Sequence, residues 1–359
     1  MRIALVTPEI AGVAGGNRAT SKRWAAIWRS LGHHVSRGVA AWPRADVLVA
    51  LHAVKSAEAI LAFHRGYPHR PIVLALTGTD LYPRLPRRGA SARAVAAASR
   101  LLVLQPLALA QLSPAGRLKA RVVLQSARPA NQRRPPRSQT PARAQGHFDV
   151  VVAAHLRAVK DPLRAAFASR ALPPRSRLRI LHAGAALSPD WARRAEAEMR
   201  RNARYRWLRA QSPAETRRLI ANAQLLVVSS RLEGGANVIS EAAMAGTPVL
   251  ASRIAGNVGL LGPDYRGYFP PGNSTALARL LWRAETDAEF RRLLRRQLRR
   301  RAPSFRPARE KAAWKRLLRE VAPQRPVRAT RTARPAANRP DPDLNRRSTA
   351  RSLAASSRR

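Results

Sequence analysis

The sequence predicts an α/β protein built from two doubly wound parallel-sheet domains in series, and three observations carry that prediction. Short apolar runs alternate with helical patterns through the first third of the chain; a stretch almost free of large apolar residues follows; the alternation then starts again. Strands buried on both faces read as continuous Val, Leu and Ile runs, and helices between them imply parallel pairing, because a parallel neighbour is reached only through a crossover. In the first half the strands fall at residues 3–6, 47–51, 72–76, 101–104 and 122–124, and a helix over 20–31 follows the first of them. Such a unit is Rossmann-like. The second series comprises 148–152, 178–181, 205–208, 225–228 and 248–251, after which helical patterns run through 276–282, 288–298 and 310–321.

These patterns divide the chain into a Rossmann-like domain over 1–127, a Pro- and Arg-rich linker over 128–146, a second Rossmann-like domain over 147–321 that carries the helices at its end, and a disordered basic tail over 322–359. The tail holds too few apolar groups to offset its ordering entropy. Open parallel sheets bind ligands beyond the carboxyl ends of their strands, so two such sheets facing one another make a cleft.

Composition narrows the class. The 359 residues suffice for two cores. No apolar run approaches the roughly 18 residues of a membrane span. Met1-Arg2-Ile3-Ala4-Leu5-Val6 reads as a strand and not a signal peptide, because Pro8 and Glu9 interrupt it, so a cytoplasmic protein is expected. Without cysteine there is no disulfide, no thiolate nucleophile and no cysteine-bound metal. The net charge of +47 would draw polyanions at low salt, yet only six of the 67 basic residues are lysines and the arginines are spread over every segment. No nucleic-acid reading motif is visible, so we expect a solvated basic surface and no specific nucleic-acid partner.

The chemistry concentrates in Ser229-Ser230-Arg231-Leu232-Glu233-Gly234-Gly235-Ala236-Asn237-Val238-Ile239-Ser240-Glu241. A buried strand ends at Ser229, two glycines permit close backbone approach, and a helix opens near Asn237 and closes before Gly246. The free N–H groups of such a helix start suit a phosphate or pyrophosphate. Glu233 precedes the helix and Glu241 lies about one turn inside it, so the two carboxylates reach different parts of one extended ligand. An ordinary helix-start glutamate and a solvent-facing glutamate are the alternative for an isolated pair.

This segment resembles the Glu-x7-Glu signature of glycosyltransferase family 4, a retaining family with the GT-B fold. The resemblance implies that Glu233 contacts donor-sugar hydroxyls, with Gly234, Gly235, Ala236 and Asn237 beside it, and that Glu241 binds the nucleotide ribose. His155-Leu156-Arg157-Ala158-Val159-Lys160-Asp161 resembles the phosphate clamp of that family: Lys160 falls on its lysine, His155 occupies its arginine position, and Arg157 stands two residues later. Glu233, Arg157 and Lys160 are the implied catalytic set, and the UDP-sugar is a co-substrate, with no cofactor.

A wider set of segments is similar to a narrower group, the selenosugar synthases of selenoneine biosynthesis: Leu76 to Tyr82, Leu104 to Ala108, His155 to Arg164, Ser230 to Glu241 and Ser252 to Gly262. That likeness implies transfer from UDP-N-acetylglucosamine or UDP-glucose to selenophosphate, giving a 1-selenosugar, UDP and phosphate. Gly15-Gly16-Asn17-Arg18, after the first strand, and Thr77-Gly78-Thr79-Asp80, after another, are the expected acceptor contacts. Many members of the larger family carry histidine where Thr77 stands. A selenol-type anion is already ionised near neutral pH and needs no general base.

No metal is expected. Asp341-Pro342-Asp343 lies in the Arg/Pro tail, and His33-His34 reads as a partner for a helix C-terminus. A hexosyltransferase with a hydroxyl acceptor, a sugar-nucleotide epimerase on the same fold and a basic nucleic-acid-associated protein remain open at this point.

Overall fold

The computed structural model describes residues 1–8, 15–82, 85, 88–128 and 146–322. Most of the expected linker, the tail after Ala322 and Asp341-Pro342-Asp343 lie outside the described residues. Contacts join Met1–Ala322 into one compact unit.

The first sheet contains β1 (Arg2–Val6), β2 (His34–Arg37), β3 (Val47–Leu51), β4 (Ile72–Leu76), β5 (Arg100–Val103) and β6 (Ala120–Val122), all parallel, in the order β2-β1-β3-β4-β5-β6. The second contains β7 (Phe148–Ala153), β8 (Leu178–Ala183), β9 (Tyr205–Trp207), β10 (Leu225–Val228), β11 (Val249–Ser252) and β12 (Tyr268–Phe269), again all parallel, in the order β12-β11-β10-β7-β8-β9. Two doubly wound parallel sheets are therefore present. The order reverses between β1 and β3 in one sheet and between β7 and β10 in the other. At such a reversal the connecting helices leave on opposite faces and open a crevice beyond the strand ends.

Strands β3 and β4, at the centre of the first sheet, are buried on both faces. In β3, Leu48 and Ala50 join one apolar cluster while Val47, Val49 and Leu51 join the other, as a period of two requires. Strand β2 escaped the sequence reading because its exposed edge position leaves no apolar run. His34 begins that strand, and His33 faces the N-terminal amine at 3.3 Å, so this pair is not the helix-end partner expected of it.

The helix Pro307–Glu320 corrects the expected division of the chain. It falls within the range assigned to the second domain, but Trp314, Leu317 and Leu318 join the first sheet's core beside Trp24 and Trp28. Trp314 packs edge-on against both, with ring centroids 4.9 and 4.8 Å away. Apolar spacing identifies a helix and its stripe but not the surface that the stripe will cover. On the same face the carboxylate of Glu310, 1% exposed, accepts from Trp24 Nε1 (2.7 Å) and the Ser126 amide (2.9 Å) and pairs with Arg23 (3.1 Å).

Removing that carboxylate leaves Arg23, Trp24 Nε1 and both the amide and the hydroxyl of Ser126 without their acceptor. Glu310→Ala is expected to lower stability by about 3 kcal/mol, measured by urea unfolding followed through tryptophan fluorescence. A loss below about 1 kcal/mol would show the helix to be held by apolar contact alone.

Candidate functional site

The two segments singled out in the second half of the sequence emerge from β7 and β10, the two strands that flank the reversal of the second sheet. Side chain and backbone bind the two loops together. Ser229 Oγ donates to the carbonyls of Lys160 (3.1 Å) and Asp161 (2.9 Å), and the Arg231 amide donates to Val159 O (2.8 Å). Asp161 takes a left-handed turn (φ 43°) and is held by Arg164 Nε at 2.9 Å.

Within this frame the two glutamates differ. Glu233 is buried, accepts from Ser230 Oγ at 2.6 Å, and forms an ion pair with Lys160 Nζ. Glu241, in the helix Asn237–Ala245, is half-buried and makes no hydrogen bond or ion pair among the described residues. Burial raises its pKa to about 7, against the weaker opposing pull of Arg217 and Arg23. A desolvated carboxylate without donors is the part of a polar site that a ligand completes. The helix has Ala236 at its N-cap and no side-chain cap, so no side chain takes up its first amides.

Of the clamp residues, His155 accepts from the Ala185 amide through Nδ1 at 3.1 Å, which ties the loop after β7 to the loop after β8. The side chain of Arg157 makes no hydrogen bond or ion pair among the described residues, and its charge acts on His52, which follows β3 of the first sheet. The cation available at this clamp, besides Lys160, is thus Arg157.

The glycines serve a contact the sequence did not show. A Cβ on Gly234 would stand 2.3 Å from Thr77 O, and one on Gly78 (φ +139°) would stand 2.7 Å from Gly234 N. A Cβ on Gly235 would meet Leu104 Cβ at 2.7 Å. The loops after β4 and β5 therefore rest directly on the loop after β10, and protein backbone, before any ligand, requires glycine at Gly78 and Gly234. Asn237 is engaged too: its Oδ1 accepts from Arg23 Nη2 at 3.0 Å, and Gln125, turned to satisfy its amide, donates to Gly235 O (3.2 Å) and Asn237 Oδ1 (3.1 Å).

On the acceptor side, Gly15 caps the helix Gly16–Ser30 at the end of β1 with open space at both glycines. Arg18 is exposed and Asn17 half-buried, and neither side chain has a partner among the described residues. Asp80 departs from its expected role. Only 1% exposed, it accepts from the amides of Thr77 (2.9 Å), Gly78 (2.8 Å) and Ala53 (2.8 Å), so it braces the loop from a buried position. The sequence reading missed His52. This buried residue follows β3 with φ 73°, and its Nε2 lies 2.9 Å from Thr79 Oγ1. Desolvation lowers its pKa from the usual 6.5; Lys55 and Arg157 lower it further and Asp80 raises it. The only sequence signal for His52 was a titratable residue directly after a five-residue apolar strand.

A groove of about 850 Å³ between Phe167, Arg170, Trp191 and Arg231 borders the site at Asp161 and Leu232 but includes neither glutamate. Among the described residues no three His, Asp or Glu side chains gather in a way that could hold a metal ion, and no helix is long and apolar enough to cross a membrane.

Residues 137–302 match the family described as glycosyl transferases group 1. No curated protein matches the chain in sequence. Among solved structures, this chain is similar to Anabaena HepE in complex with UDP-glucose, with a TM-score of 0.71 and 18% identity over 89% of this chain and 100% of that one. It is also similar to the sucrose-phosphate synthase of Thermosynechococcus elongatus (TM-score 0.70, 18% identity, 89% and 98% covered). A third is the UDP-forming trehalose-phosphate synthase of Burkholderia xenovorans with glucose-6-phosphate (0.66, 13%, 89% and 99%). At these identities the likeness establishes the fold, which is GT-B.

The titration of Glu241 gives a test in the unliganded protein. Its folded-state pKa of about 7 lies above the ordinary 4.5, so the folded state binds the extra proton. The associated stability is fully present below pH 4.5 and is lost as pH rises through 7. Glu241→Gln is therefore expected to stabilise the ligand-free protein at pH 8, by ~3 kcal/mol at most, and to lose that advantage toward pH 4.5. Equal unfolding free energies for variant and parent at pH 8 would show Glu241 to be solvated.

Proposed function

We propose that this chain is a selenosugar synthase that transfers a sugar from UDP-N-acetylglucosamine or UDP-glucose to selenophosphate without a metal ion. The observation that carries the donor half of this reading is the contrast at the second sheet's reversal, where Glu233 is satisfied by Lys160 and Ser230 and Glu241 is left desolvated without a donor. The ribose hydroxyls of a nucleotide supply the donors that Glu241 lacks. The pyrophosphate takes Lys160, together with the unpaired Arg157 and the uncapped amides at Asn237, and Glu233 is then released toward the sugar. Lys160 is thus shared between two anions, and exchanging one for the other avoids burying an unpaired charge.

The acceptor half rests on the resemblance stated for residues 76–82, 104–108, 155–164, 230–241 and 252–262. Selenium attacks the anomeric carbon, the bond from that carbon to the UDP oxygen breaks, and UDP leaves with both electrons. Water then cleaves the P–Se bond, so the products are a 1-selenosugar, UDP and phosphate. Positive charge develops at the anomeric carbon, and a preorganised carboxylate at Glu233 stabilises it. The first domain supplies the acceptor contacts at Gly15 to Arg18 and at Thr77 to Thr79. Transfer to a sugar hydroxyl is the second reading, and it is favoured by one observation: the buried imidazole of His52 beside the acceptor loop, since a neutral hydroxyl requires a base.

Incubation with selenophosphate and each UDP-sugar is expected to yield UDP and a product whose mass carries the selenium isotope pattern, in the presence of a chelator. Glu233→Gln should depress kcat by ~10²–10³-fold, while Glu241→Gln should act mainly on the KM for the UDP-sugar. A product made only with a hydroxyl acceptor would favour the second reading. Parent-like turnover in Glu233→Gln would remove Glu233 from the donor site.

A further inference from the structure

The protons around His52 can be assigned from its neighbours. The Lys55 amide points at Nδ1 from 3.3 Å, and an amide N–H can only donate, so Nδ1 is the acceptor nitrogen of a neutral ring. The ring proton then resides on Nε2, which donates to Thr79 Oγ1 at 2.9 Å. With its oxygen accepting from His52, Thr79 has its own hydroxyl proton free to donate. Thr79 is exposed, and its hydroxyl has no second partner among the described residues.

The surroundings offer no base to oppose this polarity. Asp80 accepts from the amides of Thr77, Gly78 and Ala53 and makes no hydrogen bond with the side chain of Thr79 or His52. The other charges that act on His52 are the cations Lys55 and Arg157. His52 and Thr79 also sit at the right edge of the first sheet. His52 directly follows β3, one of the two strands flanking the reversal, and Thr79 follows the adjacent β4.

We infer that Thr79 is the hydrogen-bond donor that seats an anionic, phosphate-like acceptor, and that His52 is the positioning residue that fixes the direction of that donation. The inference rests on the proposed transfer and deepens it, because it names what selects the acceptor. An oxyanion accepts from the Thr79 hydroxyl and faces Arg157. A neutral sugar hydroxyl in the same place would need its proton removed, and His52 Nδ1 is already occupied by Lys55 while Nε2 carries hydrogen. The imidazole therefore serves as a donor relay and not as a base.

Inorganic phosphate, the oxygen analogue of the proposed acceptor, tests this by calorimetric titration into the full chain with and without saturating UDP. Thr79→Val, isosteric at an exposed position, is expected to weaken phosphate binding ~10-fold or more, as the loss of one hydrogen bond to a charged group requires, and Thr79→Ser to keep it. The two amide variants of His52 separate relay from structure. Gln places its N–H₂ near the position of Nε2 and is expected to retain phosphate affinity, whereas Asn reaches only the position of Nδ1 and is expected to lose it. Asn also tolerates the positive φ of position 52, so its melting temperature should match the parent's. UDP affinity should be unchanged in all four variants. Parent-like phosphate binding in Thr79→Val, or equal loss in the Gln and Asn variants, would overturn the inference, as would a parent chain that binds no phosphate in either condition. Failure to bind UDP would instead count against the donor reading, and the titration without UDP would still decide the role of Thr79.

Discussion

Arg23 stands between two anchors, and the arrangement of the site depends on it. One side of its guanidinium pairs with the buried carboxylate of Glu310, and another donates to Asn237, the first residue of the helix that carries Glu241. Arg23 itself belongs to the helix Gly16–Ser30, whose start lies at the expected acceptor loop. One side chain thus links the helix of the first sheet, the returning helix Pro307–Glu320 and the start of the donor helix. The pair is only partly shielded, since Arg23 is 25% exposed, and Trp24 Nε1 and Ser126 complete the carboxylate's partners. A buried carboxylate bonded on all sides resists displacement because each lost donor leaves part of a charge uncompensated.

The site is polarised by unequal treatment of like groups. Glu233 and Glu241 come from one loop and helix, yet Glu233 has an ion-pair partner, while the carboxylate of Glu241 has none among the described residues and feels Arg217 and Arg23 only weakly. Asp80 and Thr79 show the same contrast in the first sheet: Asp80 accepts from three amides, while the Thr79 hydroxyl meets only His52 among the described residues. Groups that are fully bonded within the protein brace the loops, and groups left with an unused donor or acceptor are those to which the proposed ligands are assigned. This distinction follows from hydrogen-bond accounting and not from residue type.

The close contact of the loops supplies the geometry for that division. Gly78 and Gly234 meet backbone to backbone, Gly235 lies against Leu104, and a Cβ on Gly259 would stand 1.9 Å from Gln105 Oε1. Such contacts bring the strand ends of the first sheet directly against the glycine loop and the helix Ala255–Leu261 of the second. Arg157 can then act on His52 across this contact.

The local features were legible in the sequence. Continuous apolar runs marked ten of the twelve strands, and the helix bearing Glu241 was bounded at Asn237 and Gly246, where the structure has Asn237–Ala245 and a left-handed Gly246. The donor segment was legible because strand, glycines, helix start and both glutamates lie within a dozen or so consecutive residues. What depended on distant pairing was not: β2 and β12 lack an apolar run, the stripe of Pro307–Glu320 did not name its partner, and Asp80 read as a ligand contact until its amides were in place. His52 is 27 residues from the threonine it orients. Sequence periodicity reports which face of an element is buried, whereas the partner of a buried carboxylate or imidazole is set by sheet order and packing, and these join residues that the chain keeps far apart.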